Sequence, residues 1–356
     1  MGLRAFIGKR IIFSLVLLLL VMLLNFFLFM VMPGDPVSLF VNPVRGSQEG
    51  REAQIARLKA IWGLDKPIEQ RVMTYIVNML TWNFGVSQMT RNAVGGEMMY
   101  RVPFTLILMG GSSVLAIVAG VFIGVLVAHK RGGKLDNSMV LSSLVFYSLP
   151  TFWMGMMFIL IFYTLLHVLP GAHPFPPAWT LPGEWPNALA IGTSTEGSQT
   201  LGIAFSINGS EAIELISGYV RHWILPVSTL TLFQYGGFLL LTRATMLETL
   251  TEDYIVTARA KGVKESSVLF KHALKNASLP LITATALQFG FMLSGAIITE
   301  SVYSLPGLGG WIWRAIQYYD YAVLQAIFYV VALCVIIANF AADLLYGVID
   351  PRIKYG

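Results

Sequence analysis

Ile11–Gly34 reads IIFSLVLLLLVMLLNFFLFMVMPG and carries no charged side chain. A helix rises about 1.5 Å per residue, so roughly 20 such residues cross a hydrocarbon layer about 30 Å thick. Five further charge-free runs follow: Val102–Ala128, Asn137–Gly183, His222–Thr242, Asn276–Thr299 and Tyr321–Ala342. The run from Asn137 holds one span, to about His167, and then a proline-rich exit. The pattern predicts six spans. Buried helices of a soluble protein are the alternative, and six such runs in one chain exclude them. Composition agrees: 56% of the 356 residues are hydrophobic and 12% are charged, about half the charge of an ordinary soluble domain.

The first run follows Arg4, Lys9 and Arg10, as a signal peptide would. Its apolar part is about twice the usual length, and no small-residue cleavage site ends it, so it reads as a retained first helix. The net charge of +5 is explained by topology rather than by nucleic acid. With six spans, the side holding both termini carries 14 of the 24 Lys/Arg in its shorter segments. The other side carries ten, eight of them in one long segment. Positive charge marks the cytoplasmic side, which predicts two cytoplasmic termini. The single cysteine, Cys334, falls inside the sixth span, which precludes an intrachain disulfide and a cysteine metal site.

Between the first two spans, Glu49–Trp62 places Ile55, Leu58, Ile61 and Trp62 on one helical side, with Arg51, Glu52, Arg57 and Lys59 on the other. Gly63-Leu64-Asp65-Lys66-Pro67 breaks this pattern, and Pro67 suits the first turn of a second helix carrying Val72, Tyr75, Ile76, Met79 and Leu80. Two apolar stripes predict a small helical cap on the outer membrane face. Val168–Arg221 is rich in Pro, Gly, Ser and Thr, has little periodicity, and contains a glycosylation sequon at Asn208 that is given no weight. In Arg243–Lys275 a helical stretch Asp253–Lys261 ends at Gly262, which suits a left-handed stop. A second stretch runs from Lys264 to about Asn276, with Val268, Leu269, His272 and Ala273 on one face, and Leu279-Pro280 then opens the fifth span. Two short helices joined by a glycine make a rigid protrusion on which a partner should dock.

Several other chemistries find no support. Gly132-Gly133-Lys134 is followed by Leu135 and lacks the spacing of a phosphate-binding loop. Gly307-Leu308-Gly309-Gly310 reads as a turn that lets backbones pack closely. Ion-coupled carriers place acids within their spans at a cost of roughly 2.5–3.5 kcal/mol each. Here Glu300, Asp343 and Arg243 lie at span ends, where anchoring and interhelix pairing are expected. His167, His173 and His222 show no metal-ligand spacing. Ser112, Ser113, Ser148, Thr151, Trp153, Gln288, Met292 and Ser294 are candidates for a solute path, although small residues equally serve helix packing.

Thr257-Ala258-Arg259-Ala260-Lys261-Gly262, His272-Ala273-Leu274-Lys275-Asn276 and Leu279-Pro280 resemble the coupling loop of binding-protein-dependent ABC importer permeases. The narrower resemblance is to the dipeptide/oligopeptide/nickel branch. Pro33-Gly34-Asp35-Pro36, Gly63–Pro67, Arg101-Val102-Pro103-Phe104-Thr105-Leu106, Ser148-Leu149-Pro150-Thr151-Phe152, the stretch Glu300–Gly309 and the tail from Asp343-Leu344 to Asp350-Pro351-Arg352 are similar to that branch too. Val256-Thr257-Ala258 stands where the wider superfamily has Glu-Ala-Ala, as is usual for the peptide branch, and the 168–221 loop is longer than typical.

The resemblance implies an all-α integral membrane fold of the type I importer permease kind: six transmembrane helices, an extracytoplasmic helical cap and a cytoplasmic pair of coupling helices. The expected organisation is 1–32 cytoplasmic N-terminus and first span, 33–102 cap, 103–167 second and third spans, and 168–221 external loop. It continues with 222–242 fourth span, 243–279 coupling loop, 280–347 fifth and sixth spans, and 348–356 cytoplasmic tail. It further implies a cell-membrane subunit, itself no ATPase and without a cofactor or metal, that forms half the pathway of an importer of di- or oligopeptides, with oligosaccharides or nickel as alternatives. Implied partners are a second homologous permease, two cytoplasmic ATPases that bind ATP and Mg, an external solute-binding protein and the bilayer. ATPase coupling would fall to Thr257, Ala258, Arg259, Ala260, Lys261, Gly262, Val263 and Lys264, with Arg259, Lys261 and Lys264 orienting the loop against an acidic rim.

Overall fold

A computed structural model describes residues 3–31, 65–173 and 209–349, with short pieces at 52, 55–57, 191–193 and 199–201. In chain order the helices are α1 Leu3–Val31, α2 Ile68–Leu80, α3 Val94–His129, α4 Lys134–Ser148, α5 Thr151–Leu165 and α6 Gly209–Thr249. They continue as α7 Asp253–Ala260, α8 Glu265–Ser294, α9 Ile297–Val302, α10 Leu308–Gln317 and α11 Tyr321–Ile349. Two short antiparallel strands, β1 Ile191–Thr193 and β2 Gln199–Leu201, pair within the loop before α6. Of the expected Glu49–Trp62 helix, Glu52 and Ile55–Arg57 are helical and the remainder lies outside the described residues.

Five helices, α1, α3, α6, α8 and α11, are long and apolar enough to cross a membrane. The expected third span is instead a pair, α4 and α5, bent by 100°. Pro150 causes the break: it has no N–H to give, and it forces Leu149 into an extended conformation (φ −77°, ψ 134°). The pair still crosses. At one end Arg243 of α6 pairs with Asp136 of α4, and at the other Arg221 donates to the Val168 carbonyl beyond α5. Arg221 to Arg243 is about 33 Å of helix, which matches the hydrocarbon thickness.

Helices α1 and α11 run antiparallel: Arg10 pairs with Asp343 at 2.8 Å, while the rings of Phe29 and Tyr321 meet at the opposite end. The start of α1 and the end of α11 therefore lie on one side, as an even number of crossings between them requires.

Helices extend beyond the apolar runs that announced them. α3 starts at Val94 and passes Pro103 through a wider turn at Leu106–Gly110, a usual response to a lost backbone donor. The fifth span does not begin at Pro280: α8 runs unbroken from Glu265, with Pro280 inside it. Pro67 is the residue before α2 rather than its first turn.

Packing in lipid needs close backbones, because tails are as apolar as leucine. A Cβ at Gly120 or Gly124 of α3 would lie 2.6 Å from Phe238 or Thr242 of α6. At Gly236 it would lie 2.8 Å from the Ser143 carbonyl of α4, and at Gly290 3.0 Å from Val335 of α11. These contacts bind the spans into one body.

A glycine-stopped hairpin, a polar group between spans and a buried carboxylate

The segment from Thr249 to Ala277 is a hairpin rather than a loop. α7 ends with two hydrogen bonds, Gly262 N–H to the Arg259 carbonyl at 2.9 Å and Val263 N–H to the Ala258 carbonyl at 3.2 Å. That pairing needs a left-handed residue, and Gly262 sits at φ +74°. Ala258 and Val263, brought together by this stop, both pack on a core of Ile255, Val268, Leu269, Ala273, Met246 and Val125. The hairpin is thereby seated on the ends of α3 and α6 and is continuous with α8.

One of its basic residues is paired within the hairpin itself. Arg259 makes two hydrogen bonds to Glu265, Nη2 to Oε1 at 2.8 Å and Nε to Oε2 at 3.3 Å. Nδ1 of His129, at the end of α3, lies 3.6 Å from the same carboxylate. The bond to Glu265 raises the Arg259 pKa above its usual value. Arg259 therefore braces the hairpin internally while its side chain stays 42% exposed. Lys261 and Lys264 are exposed. Thr257, Ala260 and Gly262 are exposed with them, and Ala258 and Val263 are half-buried. Sequence reasoning missed Tyr254 and Val256, which are 39% and 58% exposed. The signal was present: a surface helix cannot turn all of Tyr254-Ile255-Val256 inward, and Ile255 takes the core.

Beneath the hairpin, Asp136 accepts from Arg243 Nε at 2.7 Å and Nη2 at 2.9 Å, and from the Gly132 N–H at 2.8 Å. This clamp joins α4 to α6 next to the hairpin's root.

Of the solute-path candidates, the structure gathers only some. Gln288 of α8 donates to Gln234 of α6 at 3.0 Å and to Ser113 of α3 at 3.2 Å, and Ser113 also donates to Gln234 at 3.1 Å. Ser112 accepts from Gln234 at 3.5 Å. The Met292 sulfur lies near Gly110, 3.1 Å from where a Cβ would stand. Ser294 bonds its own helix at Phe291. Ser148, Thr151 and Trp153 sit at the bend of α4 and α5, away from the glutamines, and Ser148 bonds only the Val145 carbonyl among the described residues. Gln234 escaped notice, although an amide in a charge-free run was itself the signal.

Glu300, wholly buried, organises the opposite end. Its Oε1 accepts from Thr105 at 3.0 Å and Ala296 N–H at 3.4 Å, and its Oε2 from Gly310 N–H at 2.9 Å. Thr105 in turn accepts from Leu308 N–H at 2.8 Å. A Cβ on Gly307 would stand 2.5 Å from the carboxyl carbon, and one on Gly309 2.8 Å from the Ile297 nitrogen. The glycines let backbone close around the acid.

Two family models match this chain. One, described as binding-protein-dependent transport system inner membrane component, covers residues 120–355, and its N-terminal counterpart covers residues 3–109. The dipeptide transport system permease protein DppB of Escherichia coli K12 is 37% identical over 333 residues, 94% of each chain. The di/tripeptide transport system permease protein DppB of Pseudomonas aeruginosa UCBPP-PA14 is 36% identical over 336 residues, again 94% of each. The oligopeptide transport system permease protein AppB of Bacillus subtilis 168 is 33% identical over 352 residues, 99% of each. The chain belongs to the family of binding-protein-dependent transport system inner membrane components: it is a multi-pass permease component of an ABC importer.

Proposed function

We propose that this permease moves di- or oligopeptides inward, forming half of a transmembrane pathway and receiving its driving force through the Asp253–Ala277 hairpin. The observation that carries the coupling role is the hairpin's construction. It is exposed, stopped at Gly262, braced by Arg259 and Glu265, and continuous with α8. A push on α7 moves a packed unit rather than bending a loop. In this reading the hairpin faces the cytoplasm, both termini lie there, and two separate ATPases bind the ATP and Mg. The chain has no ATPase site of its own.

A second homologous permease completes the pathway. α8 is the least apolar of the five long spans, yet it is covered as little as α1. A span turned to lipid should be the most apolar where it is least covered. Thr283, Thr285 and Gln288 are only half-buried on α8, which supports a surface meeting a partner or a water-filled path. An external solute-binding protein delivers the solute on the Glu300 side. The peptide permeases among the relatives favour peptides over oligosaccharides or nickel. Against an ion-coupled carrier stands the placement of Asp136 and Asp343, each in an ion pair at a helix end.

The test is ATPase activity of the reconstituted complex with and without peptide-loaded binding protein. Stimulation that is lost when Gly262 is changed supports the reading. Equal activity with and without loaded binding protein would sink it.

A further inference from the structure

A cavity of about 260 Å³ lies where α2 crosses the C-terminal end of the first span and the start of α11. Phe26 and Ala322 form apolar parts of its wall, and Tyr75, held by Asn25 at 2.8 Å, closes its depth. Met79, Phe84 and Gly85 complete the apolar wall, and the polar lining is Lys66, Arg71, Thr74, Asn78, Asn83 and Gln325. Among the described residues no carboxylate lines it, and neither Lys66 nor Arg71 has an ion-pair partner. The Arg71 guanidinium lies over the Phe26 ring, 5.9 Å from its centroid, which holds a cation at the wall without neutralising it. The half-buried Arg71 and the exposed Lys66, among neutral amides and a hydroxyl, make a donor set for an anion carrying several oxygens.

The location selects the anion. α2 buries Tyr75 and Met79 against the spans but leaves Met73, Val77 and Leu80, and the following Trp82, 48–64% exposed. An apolar outer edge ending in tryptophan suits a helix lying at the level of lipid headgroups. The first span, one wall of the cavity, is very apolar and sparsely covered, so this side of the molecule faces lipid. We propose that the cavity binds the phosphate of an anionic phospholipid in the leaflet opposite the coupling hairpin, with Lys66 and Arg71 on the phosphate and the amides on the headgroup hydroxyls. The lipid would fasten the cap helix to the spans and to the bilayer.

The experiment uses the whole importer complex, taken from nanodiscs of phosphatidylglycerol or of phosphatidylcholine, with retained lipid measured by native mass spectrometry. Phosphatidylglycerol should be retained selectively. Each cation near the surface contributes about a fivefold effect, so Lys66→Gln with Arg71→Gln should lower retention by roughly twenty-five-fold. Should that double variant fail to assemble, Asn83→Asp, at an exposed position, places a negative charge in the cavity and should also displace the lipid. Equal retention of both lipids, or retention unchanged in these variants, would overturn the proposal. Displacement of the lipid by excess inorganic phosphate would reassign the cavity to a soluble anion and overturn the lipid assignment.

Discussion

The Gly262 hairpin and the Glu300 turn use the same ingredients, a carboxylate and glycines, in opposite ways. Glu265 lies at the surface, paired with Arg259 across a few residues of chain, and Gly262 has nothing within 4 Å of a built Cβ. Only its φ of +74° demands glycine. Glu300 is buried among backbone donors, and Gly307 and Gly309 beside it are needed for space, not for dihedral freedom. The hairpin is therefore a tolerant structure whose stiffness is graded. The turn is an all-or-none assembly, because a buried carboxyl stripped of donors, or buried donors stripped of their acceptor, is costlier than a broken surface pair.

Four substitutions should break or sharpen this contrast. Glu300→Ala removes the acceptor of Thr105 and Gly310 together, and should destabilise the protein by about 3–5 kcal/mol. Its melting temperature and membrane yield should both collapse; a normal melt would show that the turn is not organised by this acid. Asp136→Ala leaves the half-buried Arg243 on α6 without its partner and should cost about 1–3 kcal/mol, read from the same melt. Gly262→Ala forces a Cβ into left-handed backbone, for about 1 kcal/mol, so the complex should assemble normally while stimulated ATPase activity falls. Smallest of all, Arg259→Glu should change stability by less than about 1 kcal/mol and less still in high salt. Pairing it with Glu265→Arg should restore coupling. If the swap fails to restore it, Arg259 acts on the ATPase rather than within the hairpin.

Much of this was legible in the chain itself. The spans were, because crossing a bilayer requires a length of apolar sequence that is visible without any neighbour. Gly262 was, because a helix stop at a left-handed glycine is a local event, and Gly307–Gly310 read correctly as a close-packing turn. Interhelix roles for Arg243 and Asp343 were legible in kind but not in partner: Arg243 found Asp136 and Asp343 found Arg10. What misled was locality applied too far. Leu279-Pro280 looked like a helix start although the ladder of α8 passes through it, and the pairing of Arg259 with Glu265 across the turn went unread.

The sequence by itself determined that this chain lives in a membrane, how many times it crosses, and where its protrusion stops, since each follows from a contiguous stretch and the solvent around it. Only the tertiary structure decided that the third crossing is bent, that Gln234 joins Gln288, and that Glu300 is caged by Thr105 and Gly310. The Gln234–Gln288 and Thr105–Glu300 bonds join residues 54 and 195 positions apart. Partners so distant are selected by packing of whole helices, and no local pattern records which polar groups that packing will bring face to face.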